Sequence, residues 1–206
     1  MGRNHDRSWL RPTSILAHMN ADQSPAPVQP HVLAAVQAHE PRLATHLQSG
    51  EPSTVVVLSR VLECIPERAW ELLTTPEGLA QWSPCVPDRA LDFPGPASLQ
   101  ENLEDDPVDG TVEVAESPTR LIHHWGPEQL DWRLTRVDQG TQLDLVMRCT
   151  SEEMAAACGA GWHVCLAVLE VLARGENAER VVGYDAFAYG WENMNAAYAT
   201  ALGHSA

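Results

Sequence analysis

The chain has 206 residues, 44% of them hydrophobic and 20% charged, with a formal net charge of -15. That is enough material for one full domain with a smaller attachment and a real core. The acidic balance excludes a nucleic-acid-binding surface and docking on anionic lipid, both of which need basic footprints.

The five cysteines, Cys64, Cys85, Cys149, Cys158 and Cys165, are odd in number and contain no CxxC pair. This usage fits a reducing, cytoplasmic compartment. No uninterrupted apolar run approaches the roughly 20 residues of a membrane span, so no membrane insertion is expected. Arg11, Pro12 and Thr13 interrupt the place where a secretory h-region would lie.

In chain order, residues 1–30 read as a disordered tail. Its first 18 residues are more basic than the rest, and a vector-derived leader and a natural tail both fit them. Residues 31–52 form a helical extension carrying Val32, Leu33, Val36, Leu43 and Leu47, with Pro41 set to break it. It is too small to stand alone and needs either the domain or a second copy of the chain to pack on, so monomer and homodimer are both open.

The main domain spans residues 53–203. Residues 54–62 are β-branched and apolar and predict a strand. Pro66 opens a helix, and Thr75 caps a second short one running to Trp82. Strands are expected near 88–93, 97–103, 109–116, 120–125, 129–137 and 141–149, separated by Pro, Gly and Asp turns, as an antiparallel meander. Leu130, Trp132 and Leu134 share one face of their strand, as do Leu143, Leu145, Met147 and Cys149 of the next. The alternation means one wet and one covered side.

Residues 152–174 read as the covering helix, capped by Ser151 and ended by Gly175, with Cys158, Gly161, Trp162, Cys165, Leu169 and Leu172 as its buried stripe. Gly159 and Gly161 are expected to let this helix approach the sheet. A last helix spans 188–202. The predicted class is α+β, a helix-grip plan with a curved seven-stranded antiparallel sheet wrapped on a long C-terminal helix. One helix does not fill a strongly curved sheet, so a cavity between them is expected.

Four segments carry a resemblance: residues 65–82 (IPERAWELLTTPEGLAQW), 109–125 (DGTVEVAESPTRLIHHW), 130–146 (LDWRLTRVDQGTQLDLV) and 159–166 (GAGWHVCL). Together, over about 150 residues, they resemble the SRPBCC (START/Bet v-like) superfamily, in the branch named after the activator of heat-shock-protein-90 ATPase homologues. The resemblance implies the helix-grip fold and a hydrophobic-ligand binder, with co-chaperones and cyclases as minority roles. The chain departs from the pattern at Phe93-Pro94-Gly95-Pro96, at His123 and along the acidic stretch 99–109.

The candidate ligand-binding residues are Trp82, Glu101, His123, Trp125, Trp132, Met147, Trp162 and His163. The tryptophans offer an aromatic wall or, equally, ordinary core packing. His123 shares a strand face with Leu121 and Trp125, so it points inward when they do, and a buried histidine needs a partner. Glu101 could supply that partner, and the two could act as an acid–base pair in a cyclase- or hydrolase-like enzyme. His163 could be a polar anchor. Cys158, His163 and Cys165 do not make a convincing metal set, no nucleophile elbow or phosphate loop is visible, and no cofactor is expected. The leading expectation is a non-enzymatic binder of a hydrophobic small molecule. The alternatives are a co-chaperone-like partner of the heat-shock-protein-90 ATPase and an enzyme.

Overall fold

A computed structural model describes residues 26–41, 54–101 and 106–203. Residues 1–25 of the tail expected over 1–30, and the second half of the helical extension, 42–53, lie outside the described residues; within 26–30, Ala26 N donates to Asp185 Oδ1 at 2.8 Å.

Helix α1 (Pro30–Gln37) opens on a proline at its first position and ends before Pro41. It buries Val32 and Val36 against the domain. Gln29 N donates to Tyr189 Oη, and His31 Nε2 donates to the Asn177 carbonyl. The extension therefore packs on its own domain.

Strand β1 (Thr54–Leu62) leads into helices α2 (Pro66–Thr74) and α3 (Pro76–Leu79). Thr75 Oγ1 accepts from Gly78 N at 3.0 Å and caps α3. Seven strands follow: β2 (Val86–Pro87), β3 (Ser98–Gln100), β4 (Val108–Asp109), β5 (Val112–Glu116), β6 (Arg120–Trp125), β7 (Glu128–Val137) and β8 (Gly140–Cys149). They form a five-stranded antiparallel sheet, β1-β8-β7-β6-β5, and a three-stranded one, β2-β3-β4.

The two sheets are halves of one bent surface. β4 and β5 are one chain stretch broken at Gly110 and Thr111, and His124 N and Gly126 N of the β6 side still donate to Thr111 O and Asp109 O. Gly110 sits where a Cβ would lie 2.6 Å from Leu99 Cγ, so the kink requires glycine. The expected single seven-stranded sheet is thus split at this bend. The strand expected over 88–93 is a loop instead. Arg89 donates to the carbonyls of Ala90, Phe93, Gly95 and Pro96 and holds the segment out of the sheet.

Helix α4 (Glu152–Ala173) begins at Ser151, whose Oγ accepts from Met154 N at 3.1 Å, with Glu152 and Glu153 in the first turn. It ends in a Schellman turn: Gly175 N donates to Leu172 O and Glu176 N to Val171 O. A short 3-10 segment (Gly183–Tyr189) and helix α5 (Trp191–Gly203) follow.

The sheet covers one side of α4, and α1 and α5 cover the other. The helix is therefore buried nearly all round beyond its first turn, and Gly161 and Leu172, expected in its buried stripe, are half-exposed, as is Met154. Among the described residues α4 alone is long and apolar enough to cross a bilayer, but 94% of its most apolar window is buried inside the domain. Its hydropathy comes from being a core helix. The glycines also act differently from expectation. A Cβ on Gly159 would meet the Tyr198 ring at 3.2–3.3 Å, so Gly159 makes room for α5 and not for the sheet.

Candidate functional site: a tryptophan cluster beneath the long helix

Strand parity builds the site. Successive side chains of a strand alternate between faces, so Leu121, His123 and Trp125 of β6 point to α4, as do Leu130, Trp132 and Leu134 of β7 and Leu143, Leu145, Met147 and Cys149 of β8. All are buried. The β6–β7 register sets Leu121 opposite Trp132 and His123 opposite Leu130. The β7–β8 register sets Leu130 opposite Met147. From above, α4 lowers Trp162 onto this face, and Trp82 reaches in from the turn after α3.

Four indoles meet there. Trp162 lies 5.3 Å from Trp132, 5.4 Å from Trp125 and 6.1 Å from Trp82, centroid to centroid, and Trp82 lies 6.0 Å from Trp132. Most of the contacts are edge-to-face, the arrangement that the ring quadrupoles favour. At the level of Trp162 the space expected to be open is therefore taken by these rings. Open volume lies beside them: a pocket of about 390 Å³ lined by Val86, Pro87, Asp88, Ser98, Gln100, Glu101, Pro107 and Arg180.

Glu101 joins the two regions. It lines the pocket, and its Oε1 accepts from Trp125 Nε1 at 2.7 Å. Trp82 Nε1 donates to Leu72 O at 2.9 Å, and Trp132 Nε1 donates to His123 Nε2 at 3.1 Å. Trp162 Nε1, on a side chain only 1% exposed, has no hydrogen-bond partner among the described residues.

The histidine geometry decides what chemistry is available. His123 Nδ1 lies 2.8 Å from the His124 carbonyl, which can only accept, so Nδ1 carries the proton and Nε2 is the acceptor for Trp132. Protonating Nε2 would set two N–H groups against each other. Burial pushes the His123 pKa down to about 4, which agrees with this neutral tautomer. Both ring nitrogens are engaged, so His123 presents neither a free lone pair nor a transferable proton. It positions Trp132, and the acid–base role with Glu101 loses its base.

His163 is not part of the cluster. One residue beyond Trp162 is about 100° round the helix, and its ring points to the opposite side of α4. Its Nε2 donates to the Val36 carbonyl of α1 at 3.1 Å, and its Nδ1 accepts from Tyr198 Oη of α5 at 2.9 Å. Burial, with Arg60 nearby, lowers its pKa to about 4. It fastens three helices together, with both ring nitrogens engaged.

Two inward charges escaped the sequence reading. Glu128 precedes Leu130 by two residues, so parity puts it on the inner face; it is 5% exposed and accepts from Thr150 Oγ1 at 2.9 Å. Arg60 continues the inward series Val56, Leu58 of β1 and lies beside Glu170 of α4, Nε to Oε1 2.9 Å. That contact is one of charge, since the guanidinium N–H is not aimed at the oxygen. His39 Nε2 reaches the same Oε1 at 2.8 Å. The alternating pattern was the available signal in both cases. Burial raises the pKa of the thiols Cys85 and Cys165 to about 12, so they are inert packing groups. Among the described residues no group of three or more His, Cys, Asp or Glu side chains could hold a metal ion.

Comparison with known proteins agrees with this architecture. The solution structure of CalU16 from Micromonospora echinospora superposes with a TM-score of 0.64 at 22% identity, covering 80% of this chain and 98% of that one. The conserved protein EF2215 from Enterococcus faecalis gives 0.64 at 16% identity, covering 83% and 96%. DynU16, from the dynemicin biosynthetic locus, gives 0.54 at 23%, covering 64% of this chain and 50% of that one. At these identities the likeness is one of fold. No curated protein matches the sequence. The family described as "Activator of Hsp90 ATPase homolog 1-like protein" matches residues 63–174, more than half the chain. The chain is therefore a member of the activator of Hsp90 ATPase homolog 1-like family, within the helix-grip SRPBCC superfamily.

Proposed function

We propose that the protein binds a hydrophobic small molecule between the sheet and α4, against the wall made by Trp82, Trp125, Trp132, Trp162 and Met147. One observation carries this reading: a wall of four buried indoles stands beside a pocket of about 390 Å³, with Glu101 shared by the two. Ligand sites are mostly apolar with a few polar groups at fixed points, and Glu101 and Arg180 supply those points at the mouth. A guest moves inward by parting Trp125 from Trp162, which is the ring pair adjoining Glu101. Burying about 200 Å² of its apolar surface is worth about 5 kcal/mol.

Binding needs no covalent chemistry from the protein, in keeping with the engaged nitrogens of His123. Five unpaired thiols fit a reducing, cytoplasmic setting. Native mass spectrometry of the full chain against an apolar compound library tests the proposal. A 1:1 adduct that disappears in Trp125→Ala supports it, and the absence of any stoichiometric adduct rejects it.

A further inference from the structure

Trp162 is the ring that touches all three of the others, and it is the one whose N–H is unsatisfied. Trp82, Trp125 and Trp132 each donate to a protein acceptor. Trp162 Nε1 is fully enclosed without one among the described residues. An unmade buried hydrogen bond is costly, and native structures rarely tolerate one without a reason. The surroundings offer little relief. The rings around Trp162 present carbon edges and π faces, and their own N–H groups are already engaged. A π face is a far weaker acceptor than an oxygen.

We infer that the molecule held beneath α4 carries a hydrogen-bond-accepting oxygen, a ketone, ether or similar uncharged group on an otherwise apolar skeleton, and that this oxygen takes the Trp162 indole N–H. The inference rests on the hydrophobic-ligand reading and narrows it to a class. Glu101 and the Trp162 N–H then play different parts. Glu101 accepts and sits at the mouth, whereas Trp162 donates from within, so an acceptor-bearing end enters first and a donor-bearing end stays outside. Hydrocarbons of the same shape lack the acceptor and leave the N–H unpaired, which is the kind of difference that polar sites discriminate best.

The matched pair 1-tetralone and tetralin tests this, since the two share a bicyclic skeleton and differ by one carbonyl. Both are titrated into the 15N-labelled full chain, and the Trp162 indole signal, assigned in the wild type from through-space contacts to its own backbone, is followed. The expected result is binding of 1-tetralone about tenfold tighter than tetralin, with a downfield shift of the Trp162 indole proton for the ketone alone. Trp162→Phe keeps an aromatic ring and removes the donor; it is expected to abolish the preference for the ketone. Equal binding of both compounds with an unmoved Trp162 signal overturns the inference and leaves the hydrophobic-ligand reading standing. Failure of 1-tetralone to bind overturns the inference as well, and the hydrophobic-ligand reading is then decided separately by the apolar-library screen. The wild-type comparison decides the matter even if the variant does not fold.

Discussion

Trp132 Nε1 donates to His123 Nε2 across the β6–β7 pair at 3.1 Å, and His123 in turn donates from Nδ1 to the His124 carbonyl. This chain orients the central indole of the cluster. His123→Ala strips Trp132 of its acceptor in a buried place and opens a cavity, so a loss of about 2–4 kcal/mol is expected. Urea denaturation measures it. His123→Gln, which can present an acceptor, should lose less.

The two buried neutral histidines set an acid limit. His123 and His163 both titrate near 4 in the folded chain against an ordinary 6.5. The unfolded chain therefore takes up protons first as pH falls. The stability that each contributes is fully present above pH 6.5 and is lost as pH falls through 4, on the order of 3 kcal/mol each. Glu170, raised above its ordinary value chiefly by burial, runs the other way: its contribution is present at low pH and lost as pH rises through its folded value. The two histidines act together as pH falls from 6.5 to 4. The urea midpoint should drop steeply across that window, and His163→Phe should flatten the drop.

The Arg60–Glu170 contact joins β1 to α4 in the core. Removing one partner strands a buried charge, so Arg60→Met alone should cost about 3–5 kcal/mol, and adding Glu170→Leu should recover much of it. A double-mutant cycle on unfolding free energies measures the coupling.

Much of this architecture was legible in the chain because its signals were local. The alternation in 129–137 and 141–149 gave two strands and their inner faces, and Ser151 and Gly175 marked both ends of the long helix. The same parity put Trp125 and Trp132 on the inner face, whereas Trp162 comes from the helix and Trp82 from a turn. What escaped depended on tertiary contacts. Arg89 turns 88–93 into a loop by bonding four carbonyls, which no periodicity encodes. His163 was placed beside Trp162 because the two are adjacent in sequence, although a helix sends neighbours to different sides. The burial of α4 on both sides hid which of its faces met the sheet, so Gly159 was assigned to the wrong neighbour.

Gly159 gives a direct test of that reassignment. The Tyr198 ring lies where its side chain would be, and Tyr198 Oη holds His163. Gly159→Val should overpack this contact and cost about 2–3 kcal/mol despite replacing a helical glycine. Tyr198→Ala in the same background should relieve the clash, so the two losses should be less than additive in thermal or urea denaturation.

The proposed role depends on a guest reaching the indole wall. The most direct measurement is a tryptophan-fluorescence titration of the full chain with apolar ligands, repeated on Trp125→Ala. The account predicts saturable one-site quenching that the substitution weakens at least about tenfold while circular dichroism stays unchanged. No saturable change with any ligand, or a Trp125→Ala variant that binds as before and differs only in stability, would contradict it: the four rings would then be core and nothing more.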